Sequence, residues 1–329
     1  MSHHSAAFGL MQENSNNTAK AQSKGPFEVP RIADVWVQHI PIAPRQENTA
    51  VFLPPDNIAI IGGIATKGNT TATTDLVQLY FDRGKSMEYS VADGKIFILG
   101  GLAETATAWN AAPASRVDNP GTDVWEELDD MPDARGSAAV GAWEGKIILA
   151  GGLKQIQLVS PYAQDTVATV SIYDIKARIC TEAPEMPDAR DHAGAAIVDG
   201  KFYVLGGRTN ASIRCKNTTL VLDLGDFNAG WTTLETRMPT ARSGLSVGAV
   251  GTKIYTFGGE GNLEVDSGVF NQTEAYDVET GHWATLEQME VPRHGTAGVS
   301  AAGKIYIPGG GEVIGIGPSS YFDGFAVLG

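Results

Sequence analysis

Six times along the chain a short unbroken apolar run ends in a pair of glycines. The runs precede Gly62-Gly63, Gly100-Gly101, Gly151-Gly152, Gly206-Gly207, Gly258-Gly259 and Gly309-Gly310, at steps of 38, 51, 55, 52 and 51 residues. Four or five consecutive apolar residues bounded by turn signals predict a strand covered on both faces. Other residues keep phase with these runs. Arg135, Arg190, Arg242 and Arg293 stand sixteen residues before the first glycine of their pair, and Arg45 and Arg83 stand seventeen before theirs. Met-Pro precedes the arginine at Met131-Pro132, Met186-Pro187 and Met238-Pro239. After each pair an Asp-bearing segment is usually followed by tryptophan: Asp118 with Trp125, Asp223 with Trp231, Asp277 with Trp283, and Asp174 with Cys180 in the tryptophan's place.

Internal periodicity of about fifty residues is the mark of a repeat architecture. Each repeat predicts four short strands, A to D. Strand A follows the arginine. A tight turn such as Asp93-Gly94, Asp199-Gly200 or the one at Gly303 leads into the apolar strand B, with glycine supplying a positive φ. Strand C carries Tyr-Asp, and strand D runs from the tryptophan toward Met-Pro, where proline suits an outer edge.

These phased residues resemble the kelch repeat over about residues 34–329. The resemblance implies an all-β fold: a six-bladed propeller, one blade per Gly-Gly pair. The last repeat ends in Tyr321-Phe322-Asp323-Gly324-Phe325, a strand C with no strand D after it. Asp34-Val35-Trp36-Val37-Gln38-His39-Ile40-Pro41 reads as a strand D with no strand C before it. The N-terminal strand is therefore expected to complete the C-terminal blade, which protects an edge. Residues 1–33 are polar and unpatterned and read as a flexible tail. The short 38-residue step lacks a tryptophan, a Met-Pro and most of a strand D, and reads as a deletion rather than a functional device.

Composition narrows the function. The 329 residues hold 24 Lys+Arg against 38 Asp+Glu, a formal charge of −14. Such acidity argues against nucleic-acid backbone binding, which needs clustered cations. No apolar run approaches the 18 or so residues of a membrane span. The start is not a secretory signal as written. Cys180 and Cys215 fall near opposite faces of the expected propeller, so both are expected to be free thiols. Asn-x-Ser/Thr at Asn16, Asn69, Asn210, Asn217 and Asn271 hints at secretion, but the missing signal and disulfide favour the cytoplasm.

In a propeller the loop before strand A and the loop after strand B open on one face. Gln46, Glu47, Lys154, Arg190, Asp191, His192, Arg208, Arg242, Glu260, Asn262, Arg293, His294 and Glu312 are therefore expected around one channel mouth. Polar groups of both signs around a concave mouth suit a polar ligand or an acidic peptide. Kelch binding proteins use arginines in these loops to take carboxylates, and the resemblance implies the same for Arg190, Arg242 and Arg293. A residue repeated in every blade also has a structural reading, pairing with backbone carbonyls or a neighbouring carboxylate. Arg208, Glu260, His192 and His294 break the repeat and are the better functional candidates.

His192, His294 and Glu260 could in principle hold a metal, but polar channel residues without metal are the simpler expectation. No cofactor is implied: the iron motif of nitrile-specifier propellers fails at Gly268, and a galactose-oxidase-type copper site lacks its Tyr-Cys partner. Trp109, in the long loop after Gly101, is a candidate cover for the mouth. The expected function is a stand-alone, monomeric binding or accessory protein for a protein or small-molecule ligand. Resemblance to stand-alone fungal kelch proteins implies a secondary-metabolite, polyketide-type setting. The rival is an enzyme with His192 or His294 as acid/base and Arg208 stabilising an anion.

Overall fold

The computed structural model describes residues 35–47, 49–53, 57–61, 64–65, 74–78, 95–119, 122 and 124–327. The tail at 1–33, Arg83, Asn16, Asn69, the first Gly-Gly pair and the expected deletion between Phe81 and Met87 lie outside them. Six antiparallel sheets form the blades, and a seventh joins loops. A 3-10 turn at Phe227–Ala229 is the one helical element among the described residues.

The A, B, C, D order appears complete in three consecutive blades. Blade 3 holds Ala139–Trp143, Lys146–Ala150, Val170–Asp174 and Ile179–Ala183. Blade 4 holds Gly194–Val198, Lys201–Leu205, Thr219–Asp223 and Trp231–Thr233. Blade 5 holds Ser246–Val250, Lys253–Phe257, Thr273–Asp277 and His282–Thr285. Blade 2 is described as Ile96–Leu99, Ser115–Asn119 and Val124–Leu128, and blade 1 as Thr49–Leu53, Asn57–Ile61 and Thr74–Gln78. The A–B hairpins turn as glycine predicts: Asp199 and Gly200 have φ of 49° and 68°, and Ala302 and Gly303 have 53° and 72°. Two consecutive positive φ values match the twist of a two-residue hairpin.

After its leading lysine strand B is almost wholly apolar, because its two faces serve different neighbours. Side chains alternate across a strand. Phe202 and Val204 pack with Ile148 and Ala150 of blade 3, while Tyr203 and Leu205 pack with Leu245 and Val247 of blade 5. The same alternation sends Ile147 and Leu149 toward Phe97 and Leu99 of blade 2. Ile305 and Ile307 meet Tyr255 and Phe257 of blade 5, and Tyr306 meets Ile58 and Ile60 of blade 1. The phased methionines Met131, Met186 and Met238 are buried in these seams.

Blade 6 consists of Val299–Ala301, Lys304–Pro308, Ser319–Ala326 and, outermost, the N-terminal strand Val35–Gln46. Val35 lies opposite Ala326, Trp36 opposite Phe325, Ile40 opposite Phe322 and Arg45 opposite Ser319. The N-terminal strand thus completes the C-terminal blade, and Ile64–Ala65 adds a short pairing at its Arg45-Gln46 end.

The seventh sheet bridges blades 2 and 3. Leu102–Glu104 and Ala108–Ala111, from the B–C loop of blade 2, pair with Leu153–Gln157 and Ala163–Thr166 from that of blade 3. Trp109 lies in this sheet opposite Ile156, half-buried. The later B–C loops are also tied together. Asn210 and Thr166 exchange two hydrogen bonds, Cys215 Sγ faces the Glu260 carbonyl at 3.4 Å, and Ile314 donates its N–H to Ser267 O at 2.7 Å. Gln46 donates to Gly315 O and accepts from Gly317 N–H. The B–C loops therefore form a collar around one mouth of the channel.

Candidate functional site

The phased arginines point into the blades. Arg190 Nη1 donates to Gly206 O and Thr218 O at 3.0 and 3.1 Å, and its Nε and Nη2 donate to Asp188. Arg242 Nη1 donates to Gly258 O and Gln272 O, and Nη2 to Glu274 at 2.8 Å. Arg293 pairs with Asp323 at 2.7 Å and lies over the Tyr321 ring. Arg135 does the same work in blade 3 through Leu149 O, Thr169, Ser171 and Asp133. Each guanidinium satisfies carbonyls where strand B leaves the sheet, a need that recurs in blades 3 to 6. All four are buried. Burial pushes the Arg242 guanidinium down to about 10, with Glu274 opposing.

The residue two places after each arginine adopts a left-handed backbone: Ser137, His192, Gly244, Gly295 and Glu47, with φ from 49° to 61°. This bend lets each residue's N–H reach the carbonyl of its counterpart in the preceding blade. His192 N donates to Ser137 O at 3.1 Å, Gly244 N to His192 O at 2.8 Å, Gly295 N to Gly244 O at 2.8 Å, and Glu47 N to Gly295 O at 2.6 Å. A belt of main-chain bonds therefore lines the channel through the described blades. Two of its members, Gly244 and Gly295, carry no side chain. A Cβ on Gly295 would collide with Glu47 Oε1, and one on Gly311 would crowd His294 Nε2.

The space so cleared holds the ionisable cluster. The residue after each arginine bridges the residue after its glycine pair: Asp191 with Arg208, Ser243 with Glu260, and His294 with Gly311. Arg208 Nε donates to Asp191 at 2.9 Å, and its Nη1 pairs with Glu260 Oε1. His192 Nδ1 lies 2.7 Å from Asp191 Oδ1, and Arg208 Nη2 approaches His192 Nε2 at 3.4 Å. These contacts fit the tautomer in which Nδ1–H donates to Asp191. Thr166 donates to Asp191 Oδ2 at 2.5 Å. Burial raises the Asp191 carboxyl, but His192, Arg208 and Thr166 together hold it below the usual carboxylate range. Burial likewise opposes the charge on Arg208, and Glu260 and Asp191 more than restore it.

His294 completes the cluster. Its Nε2–H donates to Val313 O at 2.9 Å. Its Nδ1 is buried with no hydrogen-bond partner, 3.8 Å from both Glu47 Oε1 and Glu260 Oε2. Glu47 Oε2 in turn lies 3.8 Å from His192 Nε2.

The channel thus brings Gln46, Glu47, Asp191, His192, Arg208, Glu260 and His294 together. It leaves Lys154 on the rim paired with Asp133, and Asn262 and Glu312 on the collar loops. Sequence reasoning missed Thr166, Ser243 and Asn210, and the room made by Gly244, Gly295 and Gly311. The signal available was glycine at the belt phase in blades 5 and 6 where His192 and Glu47 stand elsewhere. Both cysteines are free thiols. Among the described residues no three His, Cys, Asp or Glu side chains converge closely enough to enclose a metal ion. No described helix is long and apolar enough to cross a membrane.

Comparison with known proteins agrees with this architecture. Residues 138–324 match the family described as the KLHDC2/KLHL20/DRC7 Kelch-repeats domain. The chain is 38% identical over 290 residues to Kelch-like protein terF of Aspergillus terreus, covering 83% of this chain and 62% of that protein. It is 28% identical over 153 residues to human Kelch domain-containing protein 8B, covering 44% of this chain and 42% of the relative. The chain thus spans less than two thirds of either relative's length. The solved structure of YjhT superposes with a TM-score of 0.66 at 15% identity, over 85% of this chain and 94% of its own. With more than half of its length inside that family match and the phased residues of the repeat in its sheets, the protein belongs to the Kelch-repeat family.

Proposed function

We propose that the protein is a binding or accessory protein that takes its partner or ligand on the collared mouth. One observation carries this reading. Of thirteen large apolar side chains exposed among the described residues, nine sit on the B–C loops of the collar, including Tyr162, Ile213, Leu263 and Ile316. Exposed apolar side chains gathered on one face mark an interaction site. The ion pairs beneath support binding over catalysis. Arg208 is already neutralised by Asp191 and Glu260, so it is not free to meet a developing anion. The resemblance to stand-alone fungal kelch proteins supports a place in a fungal secondary-metabolite, polyketide-type pathway.

The test is a collar variant in the host that carries the gene. Leu263→Asp with Ile316→Asp, produced at the wild-type level, is expected to reproduce the metabolite profile of a gene deletion. Ile179→Asp, on an outer strand, is expected to leave that profile unchanged. A collar variant indistinguishable from wild type would overturn the reading. Loss of product in His192→Ala with ligand binding at the collar intact would replace binding with catalysis.

A further inference from the structure

We propose that the ligand of this mouth carries a primary ammonium group, seated between Glu47, Glu260 and His294; the inference rests on the mouth being the binding site. His294 Nε2–H is committed to the Val313 carbonyl, which can only accept. With Nε2–H so committed, the lone pair of a neutral imidazole lies at Nδ1. That atom is buried and unpartnered. Glu260 uses Oε1 for Arg208 and presents Oε2 to the same space. Glu47 presents Oε1 to it from the side open to solvent, with its side chain 32% exposed. Two carboxylate oxygens thus lie 3.8 Å from one buried nitrogen.

An ammonium group is the complement of such a site, since it offers three donors and no acceptor. An N–H donor sits about 2.9 Å from its acceptor and two tetrahedral donors set their acceptors roughly 4.7 Å apart, so one nitrogen reaches both atoms of a 3.8 Å pair once Glu47, at the open side, swings outward. Charge points the same way. The cluster holds three carboxylates, Asp191, Glu260 and Glu47, against one guanidinium, Arg208. Asp191 and Glu260 are buried and Glu47 stands at the open edge, and carboxylates in excess favour a cationic occupant. Glycine at 295 makes room for the Glu47 carboxylate and glycine at 311 for the His294 ring, since a Cβ at either would strike them. The collar above would cover an aliphatic body attached to the amine.

The full-length protein is titrated calorimetrically with three probes of equal chain length. Hexylammonium has charge and three donors, N,N,N-trimethylhexylammonium has charge and none, and hexan-1-ol has no charge. Hexylammonium is expected to bind one to one, at least tenfold tighter than either of the others. Glu47→Gln is expected to weaken it at least tenfold, while Glu182→Gln, an exposed carboxylate on the outer strand Ile179–Ala183, leaves it unchanged. Both variants are checked for an unaltered melting transition, and Gly295→Ala, which displaces the Glu47 carboxylate, serves as the second variant. Nα-acetyl-lysine methylamide alongside hexylamine separates a lysine side chain from a small-molecule amine as the source. Equal binding of the three probes, no binding at all, or an unaffected Glu47→Gln protein would overturn the inference. If the collar variant still abolishes function in that case, the mouth reading stands without the amine. If it does not, both readings fall.

Discussion

Replacing Glu274 by glutamine tests whether the phased arginines hold the blades or await a ligand. Arg242 and Glu274 are both buried, with Nη2 and Oε2 2.8 Å apart. Glutamine keeps the shape and the contact from Thr240 but removes the countercharge. A buried charge stripped of its partner costs about 3–5 kcal/mol. The Gly258 and Gln272 carbonyls and the Thr256 hydroxyl remain on the guanidinium, so the lower end, about 3 kcal/mol, is expected. For a domain of roughly 295 residues that is a fall of about 5 °C in melting temperature. The control is Glu126→Gln. Glu126 and Arg178 form an equally close pair, at 2.5 and 3.0 Å, but on the surface. Exposed pairs add little, and this variant should melt with the wild type. The assay is a urea titration at pH 7 followed by circular dichroism, with hexylammonium affinity measured on the same samples. Affinity is expected to be unchanged in Glu274→Gln, because Arg242 does not reach the cluster. If Glu274→Gln and Glu126→Gln unfold at the same midpoint, the arginine is not the buried strut described.

Two further outcomes follow from the geometry. Phe322 is buried between blades 6 and 1, stacked on Tyr306 and opposite Ile40 of the N-terminal strand. Phe322→Ala should cost about 3–5 kcal/mol and raise hydrogen exchange in Val35–Gln46; unchanged exchange there would refute its role in the joint. Asp191 has a folded pKa below its unfolded one, so its contribution is present above about pH 3.9 and lost as pH falls through the depressed value. The stability gap between wild type and Asp191→Asn should therefore close on acidification from pH 5 to pH 2; a gap independent of pH would count against the ion pairs at Asp191.

Much of the fold was legible because the repeat enforces local chemistry. Apolar strand B, the Asp199-Gly200 hairpin and the tyrosine of strand C answer to rules that act over a few residues. The pairing of Trp36 and Ile40 with Phe325 and Phe322 was legible for another reason: each segment lacked its usual partner. The collar sheet was not. Leu153–Gln157 pairs with Ala108–Ala111 of another blade, and nothing in either segment names the other. The channel cluster was half legible. His192, Arg208, Glu260 and His294 stood out by breaking phase, but the convergence of Glu47 on both histidines depends on the ring's curvature. Arg190, Arg242 and Arg293 could be read two ways from sequence, since a guanidinium that caps carbonyls and one that grips a ligand occupy the same phase.

The belt at Ser137, His192, Gly244, Gly295 and Glu47 joins neighbours through main-chain atoms alone, so its side chains are decoupled from the joint they sit on. What restricts them is handedness. A backbone with φ near +50° accepts glycine, asparagine, aspartate or histidine far more readily than valine, isoleucine or threonine. The lumen can therefore be rewritten in a short alphabet of small or polar letters. Exchanging those few letters would change the chemistry of the lining while the mechanical frame stays as built.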